Sequence, residues 1–270
     1  MTTNDKRPHE MAISEAELSS MTRELDTMHN DSFSGVKKSL EDFSANLSHL
    51  ATGKATARRS FLLGAGGLAV VGGVAACSSS GGGSNSASST SSSPTGSSSA
   101  TSPYTGDLKV VALAAALENL AVAAYGMALT AAGKGTYGTV PKAIGTFVTV
   151  AMSQHKQHAA AWNGVLTKAG LKAVTTPALT ITTSEVAKLT AAKTIPEVAM
   201  VALGLEQAAT ETYTFATANV TDAGGIMTAA TIQPVEAMHA AILSFVLGQY
   251  PVPDSFIGIT GAVGPAALTV

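Results

Sequence analysis

Two segments of this chain set a carboxylate and a phenol at the same spacing in apolar surroundings: Leu117-Glu118-Asn119-Leu120-Ala121-Val122-Ala123-Ala124-Tyr125 and Leu205-Glu206-Gln207-Ala208-Ala209-Thr210-Glu211-Thr212-Tyr213. Leu, Glu, Ala and Tyr coincide without gaps. Each is followed by a partner segment, His155-Lys156-Gln157-His158 after the first and Glu236-Ala237-Met238-His239 after the second. On a helix, the seven-residue step from Glu to Tyr is two turns, so both lie on nearly one face. A three-residue step turns the chain by about 60 degrees and advances it by one turn, so His155 with His158, and Glu236 with His239, can reach one site. An ionised Glu among apolar neighbours is costly to bury unless it is paired or binds a metal. A doubled helix pair carrying three Glu and three His is therefore a candidate metal site, and the alternative is a bundle whose six groups hydrogen-bond one another.

The elements that must position these residues read as helices. An Ala- and Leu-rich run over 108–131 has no internal Pro and ends at Gly133. A second helix begins near Pro141, runs to Lys168 and closes at Gly170. The connection that follows is long: 175–183 looks extended and 184–191 suits a short helix, a crossover that returns the chain to the other end of the bundle. Thr194-Ile195-Pro196-Glu197 resembles an N-cap with Pro in the first turn and opens a third helix to about Asn219. The fourth covers about 225–247, with Pro234 predicting a kink or local break. Fold class is all-α: a four-helix bundle over 107–250 with a long crossover between its second and third helices, and an irregular tail over 251–270 that packs on the bundle or frays.

Residues 107–253 resemble the ferritin-like domain family of exported bacterial proteins, di-iron carboxylate four-helix bundles. The stretches Gln233-Pro234-Val235-Glu236-Ala237-Met238-His239 and Gly248-Gln249-Tyr250-Pro251-Val252-Pro253-Asp254 carry the likeness most specifically. The resemblance implies Glu118 and Glu206 as terminal carboxylate ligands, His158 and His239 as terminal imidazoles, and Glu236 as a bridging carboxylate. Oxygen donors with a few imidazoles suit iron or manganese better than a soft metal. At position 155 the family's usual second bridging Glu is His155, which leaves three carboxylates to balance two divalent ions. The site is expected to hold two irons weakly, to hold one, or to prefer zinc. Tyr125 and Tyr213 are expected to pack in the core with a hydroxyl tether, Trp162 to be core, and Glu211 and Lys156 to be solvated.

Ahead of the bundle the chain changes character. Arg58-Arg59-Ser60-Phe61 opens an uncharged, Gly- and Ala-rich run over 62–76 that stops at Val74-Ala75-Ala76-Cys77, resembling a twin-arginine signal with a lipobox over 58–77. The run is shorter than the roughly 20 residues a permanent span needs. The expected outcome is export through the twin-arginine machinery and membrane attachment through a lipid on Cys77, the sole cysteine; the alternative is an uncleaved anchor. Residues 78–106 are almost wholly Ser, Gly, Thr, Ala and Pro and read as a disordered linker. The prefix 1–57 shows two short amphipathic patterns, Leu18, Met21, Leu25, Met28 and then Val36, Leu40, Phe43, Leu47, Leu50, to which no function is assigned.

From residue 107 onward eight Lys, no Arg and nine acidic residues leave no basic footprint for nucleic acid. The leading expectation is a cell-envelope metal-binding protein that oxidises ferrous iron and limits oxidative damage. The other is a non-catalytic structural or stress-related module with a degenerate site. A closed iron-storage shell suits a tethered chain with a long linker poorly.

Overall fold

A computed structural model describes residues 13–51, 102–253 and 256–270. Arg58, Arg59, Cys77 and most of the Ser/Gly-rich linker lie outside the described residues.

Among the described residues the fold is all-helical: α1 (Glu15–Ala51), α2 (Asp107–Gly133), α3 (Lys142–Lys168), α4 (Thr182–Ala191), α5 (Ile195–Asn219) and α6 (Ala223–Val246), with a 3-10 turn at Pro265–Ala267. Helices α2, α3, α5 and α6 form the bundle, and α4 lies in the crossover. α2 packs on α3 and α5, and α5 on α6. Because α2 also meets α4 and the 3-10 turn, it is apolar nearly all round: Val110 to Leu120 is buried except for Asn119. Its composition would suit a membrane span, but burial in the bundle accounts for it.

The helix ends follow local chemistry. Pro141 stands at the N-cap of α3, one residue ahead of the expected first turn, and Gly170 closes that helix at φ 75 degrees, where a side chain would be strained. Thr194 and Glu197 form a reciprocal capping box at α5, with Pro196 in the first turn. Asp222 caps α6 by accepting from Gly224 N at 2.7 Å and Gly225 N at 3.3 Å. α6 runs through Pro234 without interruption. The end of the tail packs on the crossover and on α5: Thr180 N donates to Ala267 O, Thr269 N to Ala178 O, and Val263 N to Thr212 Oγ1, while Phe256 and Ile259 stay exposed. Glu211, expected to be solvated, is half-buried under the tail and accepts from the Gly261 amide.

The N-terminal prefix requires a correction. The two short helices expected there are one 37-residue helix, α1, packed along α3 and α6. Its buried stripe is Leu18, Thr22, Leu25, His29, Val36, Leu40 and Phe43, with Phe33 half-buried between the two halves. The apolar pattern breaks off at Met28 because the next inward position is filled by His29; Met28 itself is 50% exposed. Continuing the stripe through His29 and Phe33 keeps the heptad-like spacing of a single helix. The contact is close. A Cβ on Gly224 would lie 2.2 Å from Ser39 O and 2.9 Å from Phe43 N, so glycine permits the α1 and α6 backbones to meet. Asn46 Nδ2 also donates to Asp222 Oδ2 at 2.7 Å, tying α1 to the cap of α6.

Candidate metal centre

Each bundle helix delivers its polar residues to one level. Glu118 comes from α2, His155 and His158 from α3, Glu206 from α5, and Glu236 and His239 from α6; none is more than 2% exposed. All six sequence-predicted site residues are thus brought together. Their ligand atoms form two overlapping groups, Glu118, His155, His158, Glu236 and His155, Glu206, Glu236, His239, each with its atoms within 4.8 Å of one another. Glu236 and His155 belong to both groups. The remaining residues divide into two similar ends, Glu118 with His158 and Glu206 with His239, as the internal repeat requires.

His155 Nδ1 lies 2.7 Å from Glu118 Oε2 and its Nε2 3.1 Å from Glu206 Oε1, with Glu236 Oε2 3.6 Å from Nδ1. The other imidazoles turn Nδ1 inward. His158 Nδ1 is 2.9 Å from Glu236 Oε1 and 3.5 Å from Glu118 Oε1; His239 Nδ1 is 3.3 Å from Glu236 Oε2 and 3.4 Å from Glu206 Oε2.

The charges are strongly interdependent. Burial pushes the Glu118 carboxyl up, but His158 and His155 outweigh it and hold it down to about 2. Glu206 is likewise held well below its ordinary range, burial being overcome by His155 and His239. Burial disfavours charge on the imidazoles, yet Glu118 and Glu236 raise His158 to about 9, Glu236 and Glu206 raise His155 well above its usual value, and Glu206 raises His239. Three carboxylates and three imidazoles can therefore neutralise one another as ion pairs, and a divalent cation must displace those protons to bind.

The donor set fits a metal. Three inward atoms, His158 Nδ1, Glu206 Oε2 and Glu236 Oε1, are buried without a hydrogen-bond partner. Such atoms are costly in a protein interior. His158 Nδ1 and Glu236 Oε1 approach to 2.9 Å without hydrogen-bond geometry. Two ligands at right angles on a cation, each about 2.1 Å away, would stand about 3.0 Å apart.

A surrounding layer holds these ligands. The expected tyrosine tether runs between helices: Tyr125 of α2 donates to Glu206 of α5, and Tyr213 of α5 donates to Glu118 of α2. Each repeat thus secures the carboxylate of the other. Burial and the adjacent carboxylate push both phenols well above their usual range, so they remain donors. Trp162 is core as expected, and its Nε1 donates to Tyr213 OH at 2.9 Å.

Sequence reasoning missed three further residues. His29 on α1 is 1% exposed, with Nε2 3.1 Å from His158 Nε2. Burial and the neighbouring His158 and His239 lower it to about 4, so it is neutral. Gln154 on α3 accepts at Oε1 from His239 Nε2 at 2.8 Å, and its Nε2 donates to Asp26 Oδ1 of α1 at 3.3 Å. The available signal was three-residue spacing between Asp26 and His29, within a helix whose apolar stripe lacked a member at that turn.

A family model described as a ferritin-like domain matches residues 100–249. No curated protein and no solved structure matches the chain.

Proposed function

This chain belongs to the ferritin-like domain family, and from that premise we propose that it is a cell-envelope metal-binding protein whose buried centre takes up ferrous iron and oxidises it, limiting oxidative damage. The observation that carries the reading is the fully buried cluster of three carboxylates and three imidazoles drawn from four helices, in which inward atoms of His158, Glu206 and Glu236 lack a hydrogen-bond partner. Glu118 with His158 would hold one ion and Glu206 with His239 the other, with Glu236 shared. His155 occupies the second shared position, where a neutral imidazole offers one lone pair and a carboxylate would offer two oxygens. Manganese or zinc could occupy the same donors.

Ferrous iron is the substrate in this reading: each ion gives up one electron, and two ions reduce one peroxide, which takes up two protons and leaves as water. The protein's own part is to exclude bulk water by burial and to keep the carboxylates aimed inward through Tyr125 and Tyr213. It must also release the imidazole protons when metal enters. The localisation part rests on sequence: Arg58 and Arg59 direct twin-arginine export, and Cys77 takes a lipid that holds the chain at the membrane.

Anaerobic titration of ferrous iron into the metal-free chain, followed by oxygen or peroxide addition, tests the chemistry. Iron binding with oxidant consumption is expected, with both abolished in Glu236→Ala. Absence of iron binding would leave the second reading, a structural module. The 2.7 Å pairing of His155 with Glu118 favours that alternative, because the six groups can satisfy much of one another's charge. Mass spectrometry of the membrane-extracted protein tests the anchor, and a mature chain without modified Cys77 would refute it.

A further inference from the structure

Both end imidazoles of the centre are held from outside by chains of contact that finish on α1. This helix lies along α3 and α6, the side of the bundle opposite the α2–α5 contact. It contributes none of the six central residues.

The hydrogen-bond logic on the His239 side runs through Asp26. Asp26 Oδ1 accepts from the amide nitrogen of Gln154, which turns Gln154 Oε1 toward His239. That oxygen only accepts. His239 Nε2 must therefore carry a proton in either charge state, so the proton an entering metal displaces is the one on Nδ1, the atom that faces Glu206 and Glu236. On the other side His29 meets His158 directly, nitrogen to nitrogen at 3.1 Å. When His29 presents its Nε2 lone pair, His158 donates from Nε2, and the proton an entering metal displaces is again the one on the inward-facing Nδ1.

His29 is not explained by packing. It stands in the buried stripe of α1 between Leu25 and Val36, where an aliphatic side chain would leave no ring nitrogen unpaired, whereas His29 Nδ1 is buried without a hydrogen-bond partner. Asp26 and His29 are one turn apart and address α3 residues four apart, Gln154 and His158.

We propose that α1 is an outer shell built into the metal centre: Asp26 and His29 are positioning residues that fix His239 and His158 in the tautomer able to bind metal, so that α1 docking and metal affinity are coupled. The inference rests on the reading of the six central residues as metal ligands. It gives the segment ahead of Arg58 a role. Cleavage before Cys77 would leave α1 held to the centre by non-covalent docking alone, so loss of α1 from a cut chain should weaken its hold on metal.

The test uses the full chain, stripped with chelator and titrated calorimetrically with manganese(II) and zinc(II). Losing an outer partner of a ligating imidazole typically weakens metal binding on the order of 10–100-fold. His29→Leu and Asp26→Ala should each show such a loss, whereas His29→Gln, which retains an acceptor, should bind within a few-fold of the natural chain. Metal-free thermal unfolding separates positioning from folding: His29→Leu should be at least as stable as the natural chain while binding metal more weakly. Reciprocity supplies a second readout. With a protease site introduced into the 78–106 linker and cut, metal should strengthen retention of the α1 fragment by the same factor that α1 strengthens metal binding. Natural-like affinity in both His29→Leu and Asp26→Ala, or fragment release indifferent to metal, would overturn the inference while leaving the metal centre standing. Failure of the uncut natural chain to bind either ion would instead overturn the metal reading, and this inference with it.

Discussion

Replacing His155 by Glu should reverse sign between the metal-free and metal-loaded protein. In the metal-free chain His155 lies within 2.7, 3.1 and 3.6 Å of Glu118, Glu206 and Glu236, and these carboxylates hold it protonated. His155→Glu removes that buried counter-charge, and breaking a buried ion pair costs about 3–5 kcal/mol. Four carboxylates would then crowd together, each pair at 4 Å repelling by about 4 kcal/mol at an effective dielectric of 20. The repulsion is limited because a carboxyl can take up a proton; holding an ordinary Glu neutral at pH 7 costs about 4 kcal/mol. Taking only the lost pair, and about 2–4 °C per kcal/mol for a domain of this size, the metal-free variant should melt about 6–20 °C below the natural chain. With metal present the order changes. Three carboxylates leave two divalent cations with an excess positive charge, whereas four balance them, and the new carboxylate adds a second oxygen donor in the shared position. The variant should therefore approach two ions per chain where the natural protein binds fewer than two tightly. Scanning calorimetry with chelator and with manganese(II), paired with metal analysis after desalting, measures both halves. A metal-free variant that melts within 2 °C of the natural chain, or natural protein already carrying two tightly held ions with no gain in the variant, would refute the account of His155; the 2 °C criterion corresponds to about 1 kcal/mol or less.

Tyr213→Phe leaves Glu118 without its phenolic donor and Trp162 Nε1 without its acceptor, so a loss of about 1–3 kcal/mol is expected from denaturant unfolding of the metal-free chain; Tyr125→Phe, lacking a Trp partner, should cost less. Gly224→Ala should spring α1 from α6, because its Cβ would sit 2.2 Å from Ser39 O, and faster proteolysis within 15–51 than in the bundle would report it. The metal-free chain should be most stable near pH 6. His158, raised from 6.5 to about 9, contributes stability that is complete below 6.5 and lost as pH climbs through 9. Glu118, lowered from 4.5 to about 2, contributes stability that is complete above 4.5 and lost on acidification through 2, while His29, lowered from 6.5 to about 4, destabilises as pH falls between those values. A melting temperature that rises steadily from pH 6 to pH 9 without metal would contradict these charge assignments.

The four bundle helices and the six central residues were legible because they depend on local periodicity and on repetition, whereas α1 read as two short helices. Glu118 and Glu206 share a motif with their tyrosines, Thr194 and Glu197 announce a cap four residues long, and Gly170 marks a helix end, all readable along one strand of text. Relations between helices were not. Glu118 and Tyr125 sit on one face of α2, yet Tyr125 binds Glu206 and leaves Glu118 to Tyr213, a choice made only when α2 and α5 face each other. Residues 28 and 29 differ by about 100 degrees around the helix, and hydropathy alone favours Met28 for the inward stripe. Packing buries His29 instead, because α3 offers it His158 and because the stripe from Leu18 to Phe43 must stay in register over a single helix. Composition and spacing thus determined which residues could serve a metal centre. Tertiary contact decided that a helix ahead of the apolar run completes its surroundings, since a partner far away in the chain leaves no periodic trace in either segment.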